Sequence, residues 1–256
     1  MKMDVNGALK WAYMKKGGAG MQIIGAQKTQ VLDLINRFGV IGNKTLFAFF
    51  EGAISRHMLY KILRFLTKRG YIKKGNIGPL YYVYITPGAT GLVSEPMHAL
   101  RTLNQSELVH DLRVADYIIK QYLRLRTKDA VSQVGFTTER ELIDDDLIEQ
   151  VDATSDWKRS RNIDTVKRKV PDGYLHIKRV DGRKQALAIE YELTQKSKGK
   201  YEEILKRYAR MYAHDELNGV VYIVAVPRIQ RQIEAVRSSR GYTLPIKFHV
   251  ADRVWG

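Results

Sequence analysis

Residues 55–85 read SRHMLYKILRFLTKRGYIKKGNIGPLYYVYI, and this run holds a helix, a turn and a β-hairpin in succession. Ser55 is a residue type whose side chain caps a helix start. Behind it Met58, Leu59, Ile62, Leu63 and Leu66 recur at three- and four-residue spacing along one face. Lys68, Arg69 and Gly70 provide a basic last turn and a glycine stop. Two β-rich stretches follow, Tyr71-Ile72-Lys73-Lys74 and residues 80–85, separated by a turn over residues 75–79 that contains Gly75, Gly78 and Pro79. Upstream, Val31, Leu34, Ile35 and Phe38 predict a helix over residues 27–38 ended by Gly39. Asn43 is the expected cap of a short second helix over residues 44–50.

Three helices and a hairpin are the element order of a winged helix-turn-helix, in which the third helix enters the major groove and the hairpin touches the backbone. On the third helix Arg56, His57, Tyr60, Lys61, Arg64 and Lys68 populate the faces away from the apolar stripe, and Lys73 and Lys74 stand near the wing. Arg56, Tyr60, Lys61, Arg64, Lys68, Lys73 and Lys74 are therefore the expected DNA contacts. The charge distribution agrees. The chain carries 43 Lys and Arg against 27 Asp and Glu, a net charge of +16. Residues 1–90 hold 14 of those cations against Asp4, Asp33 and Glu51, so the amino-terminal third carries most of the field that a polyanion would meet. A solvated basic face and a protein-interaction module are the other uses of such a unit.

The 256 residues, 45% of them apolar, suit two modest cores better than a single large one. Residues 1–25 read as a flexible basic arm, residues 26–92 as the winged-helix domain, and residues 100–256 as a second domain. The Pro-, Gly-, Ser- and Thr-rich stretch 86–96 is the expected boundary. There are no cysteines, which removes disulfides, zinc ribbons and thiol nucleophiles, and the six histidines form no H-x-H or H-E-x-x-H pair. No phosphate-binding G-x-x-x-x-G-K-[ST] loop occurs, and the apolar runs are far shorter than the roughly 20 residues that cross a bilayer. A soluble, cytoplasmic protein is expected.

In the second domain residues 106–126 predict a long helix and residues 131–142 a strand, while residues 144–168 read as a polar loop ending in a basic cluster. Strands are expected over residues 171–178 and 185–193 around an Asp181-Gly182 turn, then a helix over 200–212, a buried strand over 220–226, a helix over 230–237 and a strand over 246–250. Within LAIEYEL, residues 187–193, Ala188, Glu190 and Glu192 share one strand face. Two carboxylates in an apolar strand need cations or a metal. If the preceding strand lies alongside, Asp172 joins them, and hard oxygen ligands grouped in this way suit Mg²⁺ or Mn²⁺ acting on a phosphodiester. The competing reading leaves both glutamates on an exposed face or paired with Lys and Arg of the basic loop.

Pro171-Asp172-Gly173, a strand, and then Ile189-Glu190-Tyr191-Glu192 inside α-β-β-β-α-β resemble the PD-(D/E)XK, or restriction-endonuclease-like, nuclease core. Together with the winged helix ending in Tyr84-Ile85-Thr86-Pro87-Gly88, with Leu108-Val109-His110-Asp111-Leu112, and with Lys200 and Tyr208, the chain is similar to the plasmid replication-relaxation family, which includes MobC-type mobilization relaxases. The likeness runs from about residue 26 to 226. It implies an α/β fold with a winged helix-turn-helix ahead of the nuclease-like domain. It also implies a metal-dependent endonuclease that nicks one strand of double-stranded plasmid DNA at a transfer origin, working with a coupling ATPase and an accessory mobilization protein. Asp172 would match the motif Asp and Glu190 the strand carboxylate. Glu192 stands where the pattern usually has Lys, so either it is a third metal ligand while Lys196, Lys198 or Lys200 substitutes, or cleavage is impaired. Glu107 and His110 on the first helix of that core are further catalytic candidates. Two other functions stay open: a non-catalytic regulator of plasmid replication or transcription with a degenerate nuclease-like domain, and a restriction-type or transposon-end nuclease. With 15 tyrosines, a covalent tyrosyl intermediate also stays open.

Overall fold

Gly39 ends the first helix with a φ of +75°, a conformation that glycine adopts without the strain a Cβ would bring. In the computed structural model, which describes residues 24–97, 103–149, 166–167 and 169–251, that helix is α1 (Ala26–Phe38). There follow β1 (Val40–Gly42), α2 (Asn43–Phe49), α3 (Arg56–Lys68), β2 (Ile72–Ile77) and β3 (Leu80–Ile85). The expected arm, residues 1–25, lies almost entirely outside the described residues. Ser55 caps α3 as its sequence position predicts, its hydroxyl accepting from Met58 N at 3.2 Å. Leu59, Ile62, Leu63 and Leu66 are buried, whereas Met58, assigned by spacing to the same stripe, is 40% exposed.

Three local expectations change. Gly42 rather than Asn43 precedes α2, and the Asn43 Oδ1 is buried with no hydrogen-bond partner. The short β1 was not anticipated, because three residues carry no period; it pairs antiparallel with β3, giving a sheet of order β1-β3-β2. The hairpin turn is tighter than residues 75–79, since β2 runs to Ile77 and pairs it with Leu80. Gly75 is thus a strand residue, and a Cβ there would lie 2.4 Å from the Tyr82 ring, which occupies the space.

The stretch read as a linker is fastened to α1. Leu92 and Val93 are buried, and Asp33 accepts from both the N and the Oγ of Ser94 at 2.8 Å. Asn36 donates to the Glu95 carbonyl at 2.9 Å. The next helix, α4 (Leu108–Arg126), buries Leu108 and Leu112 against Val40 and Tyr82, stacks Tyr122 on Phe49 at 5.7 Å, and accepts a hydrogen bond from Thr45 on Asp116. The chain divides into two compact units inside α4, residues 1–123 and 124–256. The physical reason is that α4 presents its apolar face to the same core as β1 and β3.

The second unit is built on a mixed five-stranded sheet of order β4-β5-β6-β7-β8, from β4 (Val131–Thr138), β5 (Gly173–Arg179), β6 (Lys184–Glu192), β7 (Gly219–Val224) and β8 (Ile246–Val250). Strand β5 is antiparallel to both of its neighbours, β4 and β6, and β7 and β8 continue in parallel with β6. Helices α5 (Glu139–Glu149), α6 (Lys198–Ala213) and α7 (Pro227–Ser239) complete it. The expected strand over residues 131–142 stops at Thr138. There Thr138 N donates to Glu141 Oε2 at 2.7 Å and Glu141 N to Thr138 Oγ1 at 3.3 Å, a reciprocal cap that starts α5. Part of the residues read as a polar loop is therefore helical; residues 150–165 and 168 lie outside the described residues. The β5–β6 hairpin turns at Gly182, with φ +87°, as the Asp181-Gly182 pair predicts. On one sheet face Ala188, Tyr222 and Val224 pack with Tyr201, Ile204, Leu205 and Tyr208 of α6 and with Ile229 and Ile233 of α7. Every residue of β7 is buried. Among the described residues no helix is long and apolar enough to cross a membrane.

Candidate active site

Strand alternation puts Glu190 and Glu192 on the face that carries Ala188, and the packing of Tyr201 and Tyr208 against Ala188 makes that the face under α6. Both carboxylates are buried, with 6% and 2% exposure, so the reading that left them on an exposed face is overturned. Antiparallel pairing of Gly173 with Ile189 brings the start of β5 beside this part of β6, and Asp172 Oδ2 accepts from Tyr191 N at 2.6 Å. Asp172 is half-buried, and its charge is felt at Glu190.

Buried charge must be compensated, and the structure supplies the partners from α6 and the turn before it. Lys196, four residues beyond Glu192, donates to Glu192 Oε1. Its main chain is fastened as well: Lys196 N donates to Tyr201 Oη at 3.1 Å, and Gln232 Nε2 of α7 donates to the Lys196 carbonyl at 3.1 Å. On Glu190, Oε1 accepts from the Tyr208 hydroxyl, with the Arg207 guanidinium 3.8 Å from the same oxygen. Tyr222 Oη lies in the same interior and is buried without a hydrogen-bond partner.

Burial, then the negative charge of Asp172, push the Glu190 carboxyl up to about 7; the opposing pull of Lys196 is smaller. Burial works against the charge of Lys196, but Glu190, Glu192 and Asp172 together outweigh it and hold the ammonium above the usual lysine range. Burial also raises the Tyr208 and Tyr222 hydroxyls well above the ordinary tyrosine range, and the charge of Glu190 adds to the effect in both. Both are neutral O–H groups at working pH.

Of the sequence candidates, the structure brings together Asp172, Glu190 and Glu192. Of the three lysines weighed as a substitute cation, Lys196 is the one on Glu192, while Lys200 pairs with Glu203 at 3.1 Å. Glu107 and His110 belong to the first unit: Glu107 lies in the turn just before α4 and not on it, His110 lies on α4, whose Leu108 and Leu112 enter that unit's core, and His110 Nδ1 sits 3.3 Å from Asp111 Oδ1. Among the described residues no three His, Cys, Asp or Glu side chains form a ready metal cage. Glu192 is paired with Lys196, while the charges of Asp172 and Glu190 act directly on one another. These two are hard oxygen donors, and their crowding in a buried setting is relieved by a divalent cation, so the pair fits Mg²⁺ or Mn²⁺ in chemistry. Arg207, Tyr201 and Gln232 are not singled out by the sequence, and Tyr208 enters only through the family resemblance, with no role attached. The two tyrosines sit on the apolar stripe of α6, where an aromatic ring reads as core, and only the position of the hydroxyl distinguishes them.

No known protein family matches the chain, and no curated protein does. Among solved structures, the pre-specific restriction endonuclease BsaWI in complex with DNA is similar at a TM-score of 0.27 and 9% identity, over 88% of this chain and 84% of that one. At that score the likeness carries neither fold nor function across.

In the first unit Arg56, Tyr60, Lys61, Arg64 and Lys68 on α3 and Lys73 and Lys74 on β2 are all exposed. The Tyr60 ring rests 4.7 Å from that of Phe47 and is 61% exposed. Tyr81 on β3, outside the expected contact set, is 66% exposed. Exposure leaves these side chains available to a polyanion.

Proposed function

We propose that this protein is a DNA-binding, metal-dependent endonuclease whose first unit is a winged helix-turn-helix and whose second unit has a PD-(D/E)XK-like core. The observation that carries the reading is the convergence of Asp172, Glu190 and a fastened Lys196 where β5 begins and β6 ends. The order of strands, three antiparallel and then parallel, with α6 crossing between β6 and β7, supports the same core. Asp172 and Glu190 would hold Mg²⁺ or Mn²⁺, which when bound supplies positive charge to a phosphodiester and acidifies a water. Tyr191 N anchors Asp172, Glu192 holds the Lys196 ammonium, and that ammonium takes the place of the lysine that the nuclease pattern carries two residues after its glutamate. The basic face of α3 with Lys73 and Lys74 selects the DNA.

The finer form of this reading is a relaxase that nicks one strand at a plasmid transfer origin and works with a coupling ATPase and an accessory DNA-binding protein. The test is incubation with supercoiled plasmid carrying the protein's own locus, with and without Mg²⁺ or Mn²⁺. Metal-dependent open circles are expected. Linear product would replace the nickase with a restriction-type enzyme. Tight binding without any change in the plasmid would replace both with a regulator, a reading favoured by Glu192 standing where a lysine is usual.

Arg64→Ala is expected to weaken DNA binding uniformly across sequences and to lower the slope of log affinity against log salt by about 1, the counterion yield of one phosphate contact. Binding isotherms at several salt concentrations measure this, and an unchanged slope would remove Arg64 from the interface.

A further inference from the structure

Arg207 and Tyr208 are neighbours on α6, yet both converge on a single oxygen of Glu190. The Tyr208 hydroxyl donates to Oε1, and the Arg207 guanidinium stands 3.8 Å from Oε1. No hydrogen-bond donor among the described residues falls on Oε2. The two side chains also brace one another, with the Arg207 guanidinium 4.8 Å from the centre of the Tyr208 ring. Tyr208 is fully buried, so its ring has little room to turn away. A carboxylate bound at both oxygens would be a closed structural ion pair. A carboxylate held at one oxygen has its plane fixed and its other oxygen left for a ligand.

We infer that Arg207 and Tyr208 are positioning residues, which clamp Glu190 through Oε1 and so present Oε2 to a divalent cation shared with Asp172. The inference rests on the metal-dependent reading of this site and adds to it the residues that set the cation's affinity. Groups that orient a metal ligand through its far atom change affinity by about ten- to a hundredfold when removed. Tyr208→Phe removes only the hydroxyl and keeps the buried ring. Arg207→Gln removes the charge from a side chain that is partly exposed and less tied to the core.

The experiment uses the full chain and reads Mn²⁺ binding directly, by electron paramagnetic resonance of the free ion, without DNA. Wild type, Tyr208→Phe, Arg207→Gln, Arg207→Lys and Glu190→Gln are compared, with near-ultraviolet circular dichroism to check packing. The expected result is a loss of about tenfold in Mn²⁺ affinity for Tyr208→Phe and Arg207→Gln, partial recovery in Arg207→Lys, and native dichroism throughout. Wild-type affinity in both Tyr208→Phe and Arg207→Gln, alongside lost binding in Glu190→Gln, would overturn the clamp while leaving the metal site intact. Wild-type affinity in Glu190→Gln itself would overturn the metal site, and the clamp with it. If Tyr208→Phe loses its native dichroism, Arg207→Gln decides by the same criterion.

Discussion

Asp172→Ala and Glu190→Ala are each expected to abolish metal-dependent nicking of supercoiled plasmid while leaving DNA binding at wild-type strength. The size of the effect follows from what the carboxylates hold. A bound cation contributes several kcal/mol of charge stabilisation in phosphodiester cleavage, and each 1.4 kcal/mol is a factor of ten, so losses of about three orders of magnitude are expected. Binding survives because the second unit's carboxylates repel phosphate rather than attract it, and the exposed cations of α3 and β2 lie in the first unit. Gel assays of plasmid topology and binding isotherms on the same preparations separate the two effects. Nicking that persists in either variant would show that these carboxylates are structural.

Under the proposed endonuclease reading, Glu192 accounts for the absence of a lysine at its usual place in the motif. The nuclease pattern places its cation two residues beyond the glutamate, on the same strand face. Here that position is acidic and is 2% exposed, and its charge is balanced by Lys196 reaching back from the turn before α6. The pair recovers a cation near Glu190 by a different route along the backbone. Tyr201 and Gln232 hold the turn through the Lys196 main chain, so the ammonium is positioned by more than one ion pair.

How much of this was legible differs from residue to residue. Strands β5 and β6 could be read with their turn because Asp181-Gly182 is a strong local signal and Leu187, Ile189 and Tyr191 alternate with Ala188, Glu190 and Glu192. The nearness of Asp172 to Glu190 followed from that hairpin. The start of helix α5 is legible in Thr138-Glu139-Arg140-Glu141, a capping sequence, but the strand pattern of Val134 and Phe136 runs into it and masks it. The placement of α4 was not readable, since an amphipathic helix announces its apolar face and not the core that receives it. The same holds for Tyr208 and Arg207, whose contacts with Glu190 are made by the hydroxyl and guanidinium at the ends of side chains that periodicity describes only as buried or polar.

Glu190→Gln is expected to stabilise the metal-free protein at pH 8 and to give no advantage near pH 4.5. In the unfolded chain Glu190 releases its proton near the ordinary glutamate value of 4.5, whereas the fold holds the proton up to about 7. Between these values the folded state binds more protons than the unfolded state, so wild-type stability falls as pH rises, and above 7 the full cost of a buried anion is in place. At about 1.4 kcal/mol for each pH unit of separation, that cost is roughly 3 kcal/mol. Glutamine keeps an acceptor for the Tyr208 hydroxyl and has no proton to lose, so the variant lacks this slope. Thermal melts in chelator-treated buffer should show the two proteins together near pH 4.5, parting through pH 7, and separated by on the order of 10 °C at pH 8. Adding Mg²⁺ at pH 8 should then raise the wild-type midpoint and leave that of Glu190→Gln where it was, because only the carboxylate offers the cation a charged oxygen. A separation of equal size at pH 5 and pH 8 would mean that burial and Asp172 do not hold the proton on Glu190.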